Sequence, residues 1–221
     1  MTSSSALILF DLDGTLVDPA GAITEGISAA LIAHGLPVPP DDVLQSMVGP
    51  SLMESLITLV GVPADRVADV VASYRADYLA TGMTRSRPYP GVVACAEALT
   101  TAGATVAVAT QKPEWLAEEL LEVQGLRHLF ASVHGSGRDE AATKPGKESI
   151  IRAAVERHGG STERTVMIGD RRHDVEGARA NGIDCIGVSW GFALPGELEA
   201  AEASAVVSSA EELLELLRDR L

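Results

Sequence analysis

The 221-residue chain has few cysteines, few aromatic residues and few basic residues, and each shortage excludes a class of protein. Its two cysteines, Cys95 and Cys185, are too few and too far apart for a disulfide framework, so we expect free thiols in a reducing, cytoplasmic environment. The net charge of -14 argues against nucleic acid or an anionic membrane as a partner. No apolar run reaches the length of a membrane span, and the first residues lack the basic region of a secretory signal.

Hydrophobic residues are plentiful, and short apolar runs alternate with helical patterns over most of the chain. They make up 46% of the sequence. Strands are predicted at 6–10, 105–109, 130–134, 165–168 and 183–188. Helices are predicted at 92–102, 114–124, 147–157 and 175–180, with a closing helix in "SSAEELLELLRDRL" that starts at Ser209. Continuous apolar strands alternating with helices indicate an α/β fold with a doubly wound parallel sheet.

Residues 19–87 interrupt this alternation. They contain helical patterns near 22–34, 51–60 and 65–80, no convincing strand, and the proline-rich stretches "GLPVPPDD" and "SRPYPG". We therefore predict a Rossmann-like core of residues 1–18 and 88–221 with an inserted helical unit of residues 19–87, which we name the cap segment. Its expected hinges are residues 18–21 and the "SRPYPG" stretch.

Polar side chains follow the predicted strands at the points where those strands end. The first strand runs through "LILFDLDGTLVD" and ends in Asp11 and Asp13. In doubly wound sheets, ligands bind beyond the carboxyl ends of the strands. One crevice is therefore expected to collect carboxylates, a hydroxyl, an amide and one or two lysines, from Asp11, Asp13, Thr110, Gln111, Lys112, Lys144, Asp170 and Asp174.

Clustered carboxylates repel one another unless a cation lies among them. Hard oxygen ligands without a matching histidine or cysteine cluster favour Mg²⁺. A lysine and a hydroxyl beside that ion would complete a phosphoryl-binding site, and a carboxylate can act as a nucleophile. The residue set predicts phosphoryl chemistry with Mg²⁺ as cofactor.

Four ordered motifs resemble those of the haloacid dehalogenase superfamily, in its phosphatase branch. They are "FDLDGTLVD", "VATQKP", "TKPG" and "MIGDRRHDVEGARANGI". The stretches "SRPYPGV" and "VGPSLMESL" are similar to segments of the phosphoglycolate phosphatase-like group. The resemblance implies a HAD core with a helical cap, and a phosphoaspartate intermediate.

The resemblance also implies a role for each matching residue. Asp11 would be the nucleophile and a Mg²⁺ ligand, and Asp13 would be the general acid and base, with its backbone carbonyl on the metal. Asp170 would ligate Mg²⁺ directly, and Asp174 would orient a metal-bound water or ligate in some states. Phosphate oxygens would be bound by Thr110 and by the backbone at Gln111, where many relatives carry Asn, and Lys144 would balance the charge.

Plainer interpretations exist for each residue taken alone. An aspartate that follows a strand commonly ends it or caps a turn, Thr110 could cap a helix, and Lys144 could be solvated. Asp174 could be the N-cap of the helix that contains "VEGARA", with or without a metal role. The ordered set outweighs these interpretations.

The partner expected from the sequence is a small phosphorylated metabolite. Between residues 16 and 84 the basic residues are few, namely Arg66 and Arg75 with His34, which favours a monophosphate with a compact leaving group, phosphoglycolate first. A nucleoside 5′-monophosphate is the alternative, and a sugar-phosphate mutase or a phospho-accepting signalling domain is a weaker one. The sequence leaves open whether the protein is a monomer or a homodimer.

Overall fold

The computed structural model describes residues 5–137, 146–218 and 220–221. Its main sheet has six parallel strands in the order β5-β4-β1-β6-β7-β8. These are β1 Leu7–Phe10, β4 Thr105–Pro113, β5 Val133–Ser136, β6 Thr165–Gly169, β7 Asp184–Val188 and β8 Ala205–Val207. A second, two-stranded antiparallel sheet pairs β2 Val17–Asp18 with β3 Arg87–Pro88. The predicted doubly wound α/β fold is confirmed.

Eleven α-helices lie within the described residues. They are α1 Ala22–Ala33, α2 Asp41–Ser46, α3 Leu52–Ser55, α4 Val67–Asp77, α5 Met83–Arg85, α6 Val92–Thr101, α7 Glu114–Val123, α8 Lys147–His158, α9 Arg172–Ala180, α10 Glu197–Ala200 and α11 Ala210–Arg218. Single-turn π-helical segments occur at Leu56–Val60 and Tyr78–Gly82. No described helix has both the length and the apolar character that a bilayer crossing requires.

The central strand β1 is apolar throughout because both faces of the sheet are covered. Ile8 and Phe10 belong to a core cluster that includes residues of α6, α7 and α11, whereas Leu7 and Leu9 belong to a second cluster with residues of α8 and α9. Successive side chains of a strand point to opposite faces, so the two clusters lie on opposite sides of the sheet. This burial explains the continuous hydrophobic run of the sequence.

The structure differs from the sequence prediction in several elements. Strand β8 and helix α2 were not predicted, and α9 begins at Arg172 instead of residue 175. Strand β5 begins at Val133, three residues later than predicted. Strand β8 has only three residues and α2 only six, so their periodicity is too short to stand out in the sequence.

The cap segment lies between the two strands of the small sheet and contains helices α1 to α5. Val17 pairs with Pro88 and Asp18 with Arg87, so the chain leaves and re-enters the core at one place. Side chains also join the two parts: the Gln124 amide donates to the carbonyl of Met83 at 2.7 Å. The domain boundaries themselves stay a prediction.

Strand β4 contains an irregularity at the end that carries polar residues. Ala109 is in register with His134 and Pro113 with Ser136, so four steps along β4 match two along β5. Such a bulge bends the strand and redirects its side chains. Here it includes Thr110, Gln111 and Lys112, which places three polar residues at the carboxyl edge of the sheet.

Gly135 allows β5 and the bulged end of β4 to lie close to each other. A Cβ atom at Gly135 would lie 2.6 Å from the backbone of Glu114 and from the carbonyl oxygen of Lys112. We expect Gly135→Ala to lower the free energy of unfolding by about 1–3 kcal/mol, because backbone atoms would have to move. Urea denaturation monitored by circular dichroism measures this.

The matched control is Gly137→Ala, where a Cβ atom would meet no described atom within 4 Å. It is expected to unfold like the wild type. Equal stability of the Gly135 and Gly137 variants would contradict the proposed close approach.

Candidate functional site

The loop after β1 carries Asp11 and Asp13, and its backbone is tightly hydrogen-bonded. The amide of Asp11 donates to the Ile168 carbonyl at 2.8 Å, which continues the pairing of β1 with β6. The Leu12 carbonyl then accepts from the amides of the next turn, including Leu16 at 2.9 Å. Both aspartates are buried as a result.

Gly14 is required in this turn for two reasons. Its φ is +88°, in the left-handed region that glycine tolerates best. A Cβ atom there would lie 2.2 Å from Oδ2 of Asp170. The glycine of the "DLDGT" stretch therefore brings the first loop against the acidic loop.

The acidic loop follows β6 and begins with Asp170, which is fully buried. Its Oδ1 accepts from the Thr15 hydroxyl at 3.1 Å, and its Oδ2 accepts from the Phe192 amide at 2.8 Å. Burial raises the pKa of Asp170 well above its ordinary value, and the charges of Asp11 and Asp174 raise it further. The carboxyl group is thus rigidly held where its negative charge is disfavoured.

Asp174 lies in the first turn of α9, and the N-cap interpretation of this residue is wrong. The helix begins at Arg172, so Asp174 is its third residue. Its Oδ2 accepts from the Arg171 amide at 3.0 Å. Burial raises the pKa of Asp174 to about 6, although Lys147 opposes this shift.

Carboxylate oxygens of Asp11, Asp170 and Asp174 lie within 4.8 Å of one another. All three side chains are buried, and the donors are exclusively oxygens. This donor set fits Mg²⁺, which prefers hard oxygen ligands and leaves positions for water or phosphate oxygens. The carboxylate of Asp13, the fourth residue of the predicted metal set, is not part of this group and instead contacts Lys112. The resemblance assigned its backbone carbonyl to the metal, and that assignment stays a prediction.

Lys147 supplies the positive charge beside this cluster. Its ammonium lies 2.8 Å from Oδ1 of Asp11 and 2.6 Å from Oδ1 of Asp174, and the side chain is buried. Burial alone would lower the pKa of Lys147, but these two carboxylates outweigh it and the pKa is raised. The ammonium is therefore held as a permanent cation.

The sequence analysis assigned this charge to Lys144, which lies outside the described residues, and it missed Lys147. The missed signal was its position: Lys147 is the first residue of a correctly predicted helix, α8. A side chain at that point extends from the carboxyl edge of the sheet, where the other site residues lie.

Thr110, Gln111 and Lys112 follow one another on the bulged end of β4. The buried Thr110 hydroxyl accepts from the Lys112 amide at 3.3 Å, and Gln111 is half-buried at the edge of a cavity. The Lys112 ammonium lies 2.7 Å from Oδ2 of Asp13. Oδ1 of Asp13 is buried and has no hydrogen-bond partner among the described residues.

A cavity of about 60 Å³ separates this edge from the cap segment. Its core side includes the polar residues Asp13, Gln111 and Lys112 together with Pro113 and Leu116, and its cap side is mostly apolar. The cap-side residues include Met47, Val48, Leu52, Tyr74 and Arg75. The space adjoins the aspartates and is where a bound molecule would extend.

Arg171 joins the acidic loop to the cap segment. This buried side chain donates from one guanidinium nitrogen to the Val48 carbonyl at 2.7 Å, and its Nε lies 3.0 Å from Oε1 of Glu197. The residue after Asp170 therefore holds a backbone segment that lines the cavity.

Removing the ammonium of Lys147 tests its electrostatic role without any assay of activity. In Lys147→Met, Asp11 and Asp174 would be left close together without their cation, so we expect the free energy of unfolding to fall by about 3–5 kcal/mol at neutral pH without added metal. Urea denaturation measures the change.

The matched control is Arg152→Met on the same helix, which removes an exposed ion pair with Glu148. Exposed pairs contribute about 0–1 kcal/mol, so this variant is expected to remain close to the wild type. A Lys147→Met protein as stable as the Arg152→Met protein would contradict the assignment.

Comparison with known proteins places these features in a family. The family model described as "Haloacid dehalogenase-like hydrolase" matches residues 8–188. The crystal structure of a predicted phosphatase from Clostridium acetobutylicum is similar with a TM-score of 0.90 at 33% identity, covering 98% of this chain and 100% of that one.

Curated relatives carry different activities in their names. A 5′-nucleotidase of Pseudomonas aeruginosa is 38% identical, over 87% of this chain and 86% of its own. The tyrosine-protein kinase PtkA of Mycobacterium tuberculosis is 36% identical, over 97% of this chain and 73% of its own. A phosphoglycolate phosphatase of Agrobacterium fabrum is also 36% identical, over 85% of this chain and 82% of its own.

The family match covers all three parts of the described site, namely the loop after β1, the bulged end of β4 and the acidic loop. The resemblance inferred from the four sequence motifs is confirmed. The chain belongs to the haloacid dehalogenase-like hydrolase family.

Proposed function

We propose that the protein is a Mg²⁺-dependent phosphatase that hydrolyses a small phosphomonoester through a phosphoaspartate, with phosphoglycolate as the first candidate substrate. The observation that supports this most strongly is the buried cluster of Asp11, Asp170 and Asp174 beside Lys147. It combines a nucleophile, hard-cation ligands and a fixed positive charge at one edge of the sheet.

Asp11 and Asp13 divide the chemistry between them. A carboxylate oxygen of Asp11 attacks phosphorus, the ester P–O bond breaks, and the leaving oxygen takes a proton from Asp13. Asp13 then removes a proton from water, which attacks phosphorus and breaks the bond to Asp11, releasing phosphate. Paired carboxylates at different positions suit this division into nucleophile and acid or base.

The remaining residues of the site would balance the charge of the phosphate and hold it in position. Mg²⁺ held by Asp11, Asp170 and Asp174, with the Asp13 carbonyl, would neutralise the phosphoryl oxygens. The Lys147 ammonium lies against the Asp11 carboxylate and would balance the charge of the phosphate beside it. Thr110 and the amide of Gln111 would donate to phosphate oxygens.

The cavity supports a compact leaving group. The cavity is small, about 60 Å³, and its cap side is mostly apolar. This suits a short leaving group such as glycolate. Arg75 lines the cavity, while Arg66 instead donates to the His34 carbonyl at 2.6 Å. Besides Lys112, which is paired with Asp13, Arg75 is the one cation among the described residues that line the cavity, and this suits a single carboxylate better than a second phosphate.

A nucleoside 5′-monophosphate is the alternative substrate class. The relative named 5′-nucleotidase, at 38% identity, favours it.

Phosphate release from a panel of phosphomonoesters tests the proposal. The panel contains phosphoglycolate, nucleoside monophosphates, hexose phosphates and pyridoxal phosphate, each with Mg²⁺ and with EDTA. We expect Mg²⁺-dependent turnover that is greatest for phosphoglycolate, and a loss on the order of 10³-fold or more in Asp11→Asn, because this variant lacks the proposed nucleophilic carboxylate.

Asp184→Asn is the control, since this exposed carboxylate lies at the opposite end of β7 from the site. It should retain wild-type turnover. Substantial phosphate release by Asp11→Asn would remove that residue from its role, and preference for nucleotides would select the alternative.

A second experiment decides which lysine balances the charge. We expect Lys147→Met to lose turnover and Lys144→Met to keep it, because Lys147 already contacts both Asp11 and Asp174. Parallel kinetics on the best substrate of the panel measure the difference. Loss in Lys144→Met with retention in Lys147→Met would return the role to Lys144.

A further inference from the structure

Lys112 is a buried lysine that the reaction described above does not use. Its ammonium lies 2.7 Å from Oδ2 of Asp13, and both side chains are almost fully buried. Burial disfavours its charge, but Asp13 outweighs this and the pKa of Lys112 is raised. Lys112 therefore approaches the proposed proton-transfer group as a cation, from the bulged end of β4.

The contact occupies one oxygen of Asp13 and leaves the other without a protein partner. Oδ2 faces the ammonium, whereas Oδ1 is buried and accepts no hydrogen bond from the described residues. An ion pair on one oxygen restricts rotation of the carboxyl group. Oδ1 is then the oxygen that can exchange a proton with a bound substrate.

The cap segment covers the same ammonium with an aromatic ring. The Lys112 nitrogen lies 4.5 Å from the ring centroid of Tyr78, which is fully buried. Tyr78 begins the π-helical segment Tyr78–Gly82 directly after α4, and its ring stacks on Tyr74 with 5.7 Å between centroids. A cation over an aromatic face is favoured most when water is excluded.

We propose that Lys112 is a positioning residue that links the cap segment to Asp13. With the cap segment seated, the Tyr78 ring holds the ammonium, and the ammonium holds Oδ2 of Asp13 so that Oδ1 serves the leaving group. This inference rests on the proposed phosphatase function and assigns Lys112 and Tyr78 a part in it.

A purely structural ion pair would not need this arrangement. Lys112 and Asp13 both line the cavity next to the phosphoryl site, instead of lying within the hydrophobic core. The ring comes from the cap segment, whose residues line the other side of that cavity. If the ring moved away, water would solvate the Lys112 ammonium and weaken its ion pair with Asp13. The Asp13 carboxyl group would then no longer be fixed in one orientation.

The leaving group distinguishes this role from general stabilisation. Loss of an alkyl alkoxide needs a proton from Asp13, whereas loss of p-nitrophenolate hardly does. Disturbing the orientation of Asp13 should therefore slow alkyl ester hydrolysis much more than aryl ester hydrolysis. Damage to folding or to phosphate binding would slow both equally.

The experiment compares kcat for the best alkyl phosphate of the panel with kcat for p-nitrophenyl phosphate, at saturating Mg²⁺. We expect Lys112→Met to lower kcat about 10²-fold on the alkyl ester, with a far smaller loss on the aryl ester. Lys112→Arg should recover part of the difference. Should Lys112→Met fail to fold, the same two kcat values are measured for Tyr78→Leu, which keeps the ammonium and removes the ring. The larger loss is again expected on the alkyl ester.

Two comparisons isolate the aromatic face. Tyr78→Phe keeps the ring, so its ratio of alkyl to aryl turnover should follow the wild type, unlike that of Tyr78→Leu. Leu79→Ala, at an exposed neighbour in the same π-helical segment, is the control with wild-type kinetics.

Equal losses on both esters in Lys112→Met and Tyr78→Leu would overturn the positioning role while leaving the phosphatase proposal intact. A wild-type protein that hydrolyses neither ester would overturn the proposed function and this inference with it.

Discussion

The repulsion among three buried carboxylates is the constraint on which the site depends. Neighbouring strands β1 and β6 end in Asp11 and Asp170, and α9 adds Asp174, so the oxygens of three side chains come within 4.8 Å. Burial and mutual repulsion raise the pKa of Asp170, and burial raises that of Asp174. Such a group is tolerable only beside cations. Lys147 is one, and the oxygen-only donor set suits Mg²⁺ as the other.

Much of this arrangement can be predicted from the sequence, since it follows from local patterns. Continuous apolar runs locate strands buried on both faces, and the carboxyl ends of parallel strands share one edge. Asp11, Asp13, Thr110, Gln111, Asp170 and Asp174 could therefore be assigned to one crevice. Strand β8 and helix α2 were missed because they are too short to show a period.

The rest depends on contacts between distant residues, which no local pattern contains. The sequence offers Lys144 and Lys147 three positions apart, and only the direction of α8 brings the ammonium of Lys147 to Asp11. Lys112 was noted as a strand-end residue, but its contact with Asp13 depends on the irregular register of β4. Arg171 follows Asp170 directly in the sequence, but its hydrogen bond to the Val48 carbonyl spans 123 residues.

Two of those contacts connect the cap segment directly to the residues of the candidate site. Arg171 follows Asp170 in the acidic loop and donates a hydrogen bond to the Val48 carbonyl. Lys112 contacts the proposed acid Asp13 and lies under the Tyr78 ring. The cavity lies between these ties, with Asp13, Val48 and Lys112 in its wall. In the proposed reaction, a substrate that seats the cap segment would order the acidic loop and Asp13 together, so that the phosphoaspartate would form only where water access is controlled.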